Sequence, residues 1–221
     1  MDTIIKWNDT LLTWNSKYIR TAAGGGGGGG WPTSGLLSRF SFNSDANDEI
    51  NGYNWTLTLG NGAFMLVAGR NALNFGSTTV MTNNIGGLLS TPCSVVFWVY
   101  IVDNSADRYI CWTLEQNQFK VDLSTPNPGF NIENNKYNNT ATVGWHHIVI
   151  AKDAGGFANI YVDAVHLGSN WFGGTLGSQT LEFPRFGAGP WTGWSINQMY
   201  VYNRQITSGD VNQLWNNGAG I

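Results

Sequence analysis

From Thr33 onward the sequence is cut into short apolar or alternating runs, each closed by turn residues. The runs are LLSRFSFN (36–43), WTLTLG (55–60), LNFG (73–76), SVVFWVYIV (94–102), YICWTLEQ (109–116), QFKVDLS (118–124), GWHHIVIAKD (144–153), FANIYVDAVHLGS (157–169), LEFPRFG (181–187) and WSINQMYVYNR (194–204). A period of two places alternate side chains on opposite faces, and stretches this short suit strands better than helices. Connections such as DAGG and DNSAD carry turn chemistry. One helix is predicted, over TSGDVNQLWNNG (207–218). Thr207 serves as N-cap with Asp210 at the third position, Val211, Leu214 and Trp215 share a face, and Gly218 closes it. Composition agrees: aromatic residues make up 14% of the chain and charged residues only 11%. The predicted class is all-β: a two-sheet antiparallel β-sandwich with one short C-terminal helix and an N-terminal extension.

That extension is set off by seven consecutive glycines, Gly24–Gly30. Such a run reaches at most ~25 Å extended and roughly 14 Å as coil, the dimensions of a short spacer. Before it stands an echo, KWNDTLL then TWNSKYI, and the large apolar residues of residues 1–23 are Ile4, Ile5, Trp7, Leu11, Leu12, Trp14, Tyr18 and Ile19. They are too many for an exposed peptide and too few for a core, so the segment must pack on something. It either folds back on its own domain or docks on another chain, and docking is the reading carried forward. The division is therefore a docking segment (1–23), a glycine linker (24–32) and a sandwich domain (33–221).

Several classes are disfavoured. Net charge is −3 with no basic block, so nucleic acid is not an expected partner. The longest apolar run, VVFWVYIV (95–102), falls well short of the ~18 residues of a membrane span. Residues 1–20 lack the basic and apolar regions of a secretory signal, so export by the general secretory route is not expected. Cys93 and Cys111 fall at the far ends of a predicted hairpin in which Val102 faces Tyr109. At ~3.4 Å per residue they are too far apart for a disulfide, and two buried thiols are expected.

Four pieces, in order, resemble the laminin-G-like, concanavalin-type jelly rolls. GWHHIVIAKDAGGFANIYVDAVHLGS resembles the family's central Trp-His strand and Tyr-Val-Asp-Gly hairpin. FPRFGAGPWTGWSINQMYVYNRQITSGDVNQLWNNG resembles its closing strands and capped helix, LLSRFSFNSDANDEINGYNWTLTLGNG its first strand and loop, and SVVFWVYI its Trp-bearing strand. The likeness spans residues ~36–218 and implies a jelly roll. It departs at Ala164, Asn197 and Asn43, where relatives usually carry Gly, Asp and Asp. Many relatives hold a structural calcium near these loops, so Asp45, Asp48 and Asn197 are its candidate ligands here. Asn lowers the charge such an ion prefers, and a solvated loop without metal stands as the alternative. No other cofactor is implied.

Catalysis is not expected. The superfamily's hydrolase signature, Glu-x-Asp-x-x-Glu, is absent, and Glu115 with Asp122 reads as surface decoration rather than a catalytic pair. His146 and His147 are strand neighbours on opposite faces and cannot easily share an ion. The resemblance implies a structural pair, one inward and one on the sheet. Aromatic residues beside loop glycines, Trp171 and Phe172 in SNWFGG and Trp191 and Trp194 in GPWTGW, are the candidate ligand-binding residues.

These readings converge on a non-catalytic display module on a short anchor. A virion surface is the expected setting, as a bacteriophage head decoration, fibre or tail adhesin. Expected partners are other virion proteins through the N-terminal segment, and cell-surface glycans or the capsid through the sandwich. Homo-oligomers fit that setting, although residues 1–35 show no heptads. The alternatives are a cellular carbohydrate-binding or adhesion protein outside or on the cell, a glycoside hydrolase, and a structural capsid part without ligand.

Overall fold

The computed structural model describes residues 3–7, 10–15, 18–21, 30–58, 62–76, 80–83, 92–102, 108–113, 120–123, 130–132, 135–137, 142–171, 181–183 and 194–219. Most of the glycine run, residues 24–29, lies outside them. The chain divides into two compact units, Met1–Trp31 and Pro32–Ile221.

The first unit is an antiparallel meander of β1 (Thr3–Trp7), β2 (Thr10–Asn15) and β3 (Tyr18–Thr21). Trp7 is opposite Thr10, and Asn15 is opposite Tyr18.

The second unit contains β4 (Leu36–Phe40), β5 (Thr56–Thr58), β6 (Ala63–Val67), β7 (Arg70–Asn74), β8 (Val80–Asn83), β9 (Cys93–Ile101), β10 (Arg108–Thr113), β11 (Lys120–Leu123), β12 (Phe130–Ile132), β13 (Asn135–Tyr137), β14 (Gly144–Lys152), β15 (Phe157–Val162), β16 (Val165–Trp171), β17 (Leu181–Phe183), β18 (Ser195–Tyr202) and α1 (Ser208–Trp215). They form an all-β sandwich. One sheet has the order β16-β15-β14-β9-β18-β7-β6, with β4 also on β18, and the other β13-β12-β11-β10-β17-β8-β5. The pairings are antiparallel.

Alternation builds the core. Val95, Phe97, Val99 and Ile101 of β9 join Ile148 and Ile150 of β14, Ile160 and Val162 of β15, and Ile196, Met199 and Val201 of β18 in one buried cluster. Phe40, Trp55, Met81, Phe130 and Trp194 are among the other residues of that cluster. Fully burying a large apolar side chain is worth roughly 1.5–3 kcal/mol, so this cluster dominates stability. A bulge keeps β18 in phase: its register shifts between Asn197 and Met199, and Gln198 adopts φ 42°.

β9, β14 and β18 are buried on their other face as well, which is why β9 reads as an unbroken apolar run. Trp215 of α1 stacks on Trp98 at 5.2 Å and lies 6.0 Å from His147. Arg70 sits 3.8 Å above the Trp98 ring and donates to the Gly218 carbonyl. The capping box of α1 forms between Thr207 and Asp210. Its C-cap is Asn216 in the left-handed region rather than Gly218, which instead ends a following 3-10 turn.

One predicted pairing is corrected. The hairpin of β9 with β10 does not form. β9 lies between β14 and β18, and β10 lies between β11 and β17 in the other sheet. Successive strands of a sandwich can change sheets, and alternation alone carries no record of the change. Cys93 is a buried thiol whose pKa burial pushes up to about 11, with the Lys152 charge a smaller opposing effect.

Candidate functional site

The outer surface of the β15–β16 hairpin carries a two-row strip of side chains. The turn Val162-Asp163-Ala164-Val165 creates it, with φ 53° at Asp163 and 62° at Ala164, the positive pair that suits the twist of a two-residue hairpin. Asp163 is held in place by β14: its Oδ1 accepts the His147 N–H at 2.9 Å, and its own N–H donates to the His147 carbonyl at 2.8 Å. Along the hairpin, Ala158, Ile160 and Val162 enter the core. Their neighbours therefore face outward.

Three rungs result. Phe157 pairs with Trp171, Asn159 with Ser169, and Tyr161 with His166. A shift of register at Tyr161, with Gly168 at φ 152°, sets the last rung in phase with the other two. Phe157 is 53% exposed and Trp171 59%. Asn159 Oδ1 accepts the Ser169 hydroxyl at 2.6 Å, and the Tyr161 and His166 rings lie 5.0 Å apart. Asn170 Oδ1 accepts the Trp171 N–H at 2.8 Å and fixes the backbone under the exposed indole. From first rung to last is about 13 Å at ~3.3 Å per residue. Two half-exposed aromatic faces followed by an amide, a hydroxyl and an imidazole offer stacking and hydrogen bonds on one rigid surface, with the Tyr161 ring, only 7% exposed, packed beside the imidazole.

No protein-family model and no curated protein matches the sequence. Solved structures do. Domain 4 of AbnA, a GH43 extracellular arabinanase from Geobacillus stearothermophilus, in complex with arabinotriose, is similar with a TM-score of 0.67 and 16% identity over 80% of this chain and 96% of that one. The botulinum neurotoxin serotype D binding domain gives a TM-score of 0.64 and 15% identity over 82% of this chain, and Trypanosoma rangeli sialidase 0.69 and 14% over 97%. This chain shares their fold. It spans 51% of the botulinum chain and 43% of the sialidase.

The sequence-predicted aromatic residues separate on this fold. Trp171 stands on the strip. Trp194 does not: it is fully buried in the core cluster, so it cannot present a face to a ligand, and its candidacy is withdrawn. Phe172 and Trp191 lie outside the described residues. Phe157, Asn159, Tyr161, Ser169 and His166 were missed. Counting pairs back from the Asp163-Ala164 turn finds Tyr161 and His166, but the bulge beyond hides the other two rungs.

The calcium candidates are also placed. Asp48 Oδ1 accepts N–H groups of Arg39 and Ile50, both at 3.0 Å, and Oδ2 accepts those of Asn51 and Tyr53, both at 3.1 Å. A carboxylate has about four lone-pair sites, and four donors take them. Asp45 Oδ1 accepts the Asn47 N–H at 3.0 Å. The Asn197 side-chain amide is buried and donates to the Ser41 and Asn71 carbonyls at 3.1 and 2.7 Å. The three residues do not fit a calcium site: Asp48 folds the 45–55 loop, and Asn197 braces the bulge of β18. Among the described residues no group of three His, Cys, Asp or Glu side chains converges.

His146 and His147 divide as the resemblance implies. His146 faces Phe130 of the other sheet at 5.7 Å, bonds Asp163 Oδ2 through Nδ1 at 2.8 Å and donates from Nε2 to the Thr142 carbonyl at 2.8 Å. Its pKa is raised: burial opposes the charge, but Asp163 and Thr142 outweigh it. His147 lies fully buried beside the stacked Trp98 and Trp215 rings, and burial lowers its pKa to about 3. Of the acid pair, Asp122 is on β11 opposite Tyr109 and Asn131, and Glu115 lies outside the described residues. The docking candidates Ile4, Ile5 and Trp7 fall on β1, Leu11, Leu12 and Trp14 on β2, and Tyr18 on β3.

Proposed function

We propose that this chain is a non-catalytic glycan-binding module, displayed on a virion surface through its N-terminal unit. The observation that carries the binding part is the Phe157–Trp171 pair, two exposed aromatic rings on adjacent strands with the Asn159–Ser169 pair beside them. The C–H-rich face of a sugar is apolar and stacks on such rings, while its rim hydroxyls need amide and hydroxyl partners. Both rings are more than half exposed, and they lie on paired strands whose backbone costs little to order on binding.

The non-catalytic part rests on the carboxylates near the strip. Glycoside hydrolysis uses two, roughly 5–9.5 Å apart. Asp163 is bonded to His146 and His147, and Asp153 accepts the Phe157 N–H at 2.9 Å; both have structural tasks. Support for a sugar ligand also comes from domain 4 of AbnA, whose structure holds arabinotriose. The display part rests on layout: a separate three-stranded unit before a glycine run, then the sandwich.

The test is a glycan array that includes arabino-oligosaccharides and sialylated glycans, probed with the full chain and with Trp171→Ala and Phe157→Ala. Binding to one glycan class, weakened at least tenfold in both variants at unchanged thermal stability and without release of product, is the expected result. Silence across the array, or binding indifferent to both substitutions, sinks the reading. For display, removing residues 1–30 should leave a folded sandwich that is no longer incorporated into particles. Normal incorporation would rule out the anchor.

A further inference from the structure

A second concave site lies at the other sheet, and it does not depend on the strip. It is a cleft of about 230 Å³ lined by Gly52, Tyr53, Asn54, Thr56, Thr82 and Asn83. The floor is rigid: Thr56 of β5 is directly opposite Thr82 of β8. Met81 and Leu57 turn into the core, so both threonines face away from it.

The wall is the loop that Asp48 organises. Besides the four N–H groups bound to its carboxylate, the Asp48 N–H donates to Asn54 Oδ1 at 2.9 Å. Glu49 N–H donates to the Arg39 carbonyl at 2.8 Å, and the Arg39 guanidinium meets the Glu49 carboxylate at 2.9 Å. Trp55 N–H donates to the Ala46 carbonyl at 3.1 Å while its ring is buried in the core. Asn83, buried under the loop, donates from Nδ2 to the Tyr53 carbonyl at 2.5 Å. Gly52 permits the turn with φ 80°. A loop tied at so many points loses little freedom when something binds against it.

The chemistry of the lining selects the ligand. Asn54 spends its carbonyl on Asp48 and so offers its NH2 group; Asn83 spends its NH2 on Tyr53 and so offers its carbonyl. Thr56 and Thr82 hydroxyls both donate and accept, and Tyr53, 40% exposed, adds an aromatic face. None of the described lining residues is charged. An anion or cation entering here would lose water without gaining an opposite charge. The volume is below the roughly 300–1,000 Å³ of pockets for drug-sized ligands. We propose that this cleft binds a single neutral sugar ring, a polyhydroxylated ring whose hydroxyls pair with Asn54, Asn83, Thr56 and Thr82 while one face rests on Tyr53.

The experiment is saturation-transfer difference NMR on the full chain with neutral methyl glycosides of hexoses and pentoses, and with methyl glucuronide as the charged counterpart. The starting protein is the full chain carrying Trp171→Ala, which disables the strip, and to it are added either Thr82→Val, which removes one hydroxyl from a strand at constant shape, or Tyr53→Ala. In the Trp171→Ala chain a neutral glycoside should give a signal that falls at least fivefold on adding either Thr82→Val or Tyr53→Ala. The proposal is overturned if no neutral glycoside gives a signal in the Trp171→Ala chain, or if methyl glucuronide gives an equal one. It is also overturned if Thr82→Val leaves the signal intact, since loss in Tyr53→Ala alone is then a loop effect.

Discussion

Asp163 binds His146 through Oδ2, 2.8 Å from Nδ1, and its Oδ1 simultaneously holds the N–H of His147, the next residue on β14. One carboxylate at a hairpin turn thus fixes two histidines whose side chains enter opposite layers, and their pKa values are shifted in opposite directions.

His146 has its folded pKa raised, so its contribution is complete below the ordinary value of about 6.5 and is lost as pH rises through the raised value. His147, lowered to about 3, is neutral in the fold but takes a proton when unfolded, so stability falls as pH drops from about 6.5 toward 3. The pair therefore favours maximal stability near pH 6.5. Urea midpoints between about pH 4 and 9 should show the acid-side slope reduced in His147→Phe and the alkaline-side slope reduced in His146→Gln. Slopes identical to the unsubstituted chain would contradict both assignments.

Asp48→Ala leaves four backbone N–H groups without their acceptor, and should cost about 2–4 kcal/mol. Asp48→Asn keeps one oxygen and should cost less. Because backbone donors already occupy the Asp48 oxygens, adding calcium or a chelator should leave the urea midpoint of the unsubstituted chain unchanged. A calcium-dependent shift would return the metal reading.

Ala164 occupies φ 62° in the two-residue turn, a region costing a non-glycine residue ~1–2 kcal/mol. Ala164→Gly should stabilise the fold by up to about 1 kcal/mol after the entropy that glycine adds to the unfolded chain is deducted. Ala164→Val should destabilise it by more. A neutral or harmful glycine, read from thermal midpoints, would mean that the turn relaxes in solution.

Trp215→Ala removes the stack on Trp98 and uncovers His147, and should cost about 2–4 kcal/mol. A second readout separates undocking from simple loss of area. Once solvated, His147 should titrate closer to the ordinary histidine value, which NMR follows directly.

Strands buried on both faces were the most legible. β9, β14 and β18 lie within two residues of the apolar runs that announced them, because two-sided burial demands an uninterrupted apolar sequence. β6, β8, β12 and β13 were not anticipated. Met65 and Leu66 of β6 are 49% and 66% exposed, so burial wrote no alternation there. The capping box of α1 was legible because it involves residues three apart, while its end at Asn216 was not, since a non-glycine residue took the left-handed position.

The amino-acid order by itself determined what depends on near neighbours: the strand class, the two-residue turn at Asp163-Ala164, the helix start at Thr207, and the opposite facing of His146 and His147. Only the tertiary structure decided which sheet β10 joins, that Trp194 is a core plug while Trp171 stands in solvent, and that Asp48 is spent on backbone. Those outcomes rest on contacts between residues far apart in the chain, formed when two sheets exclude water between them, and neither spacing nor residue type records them.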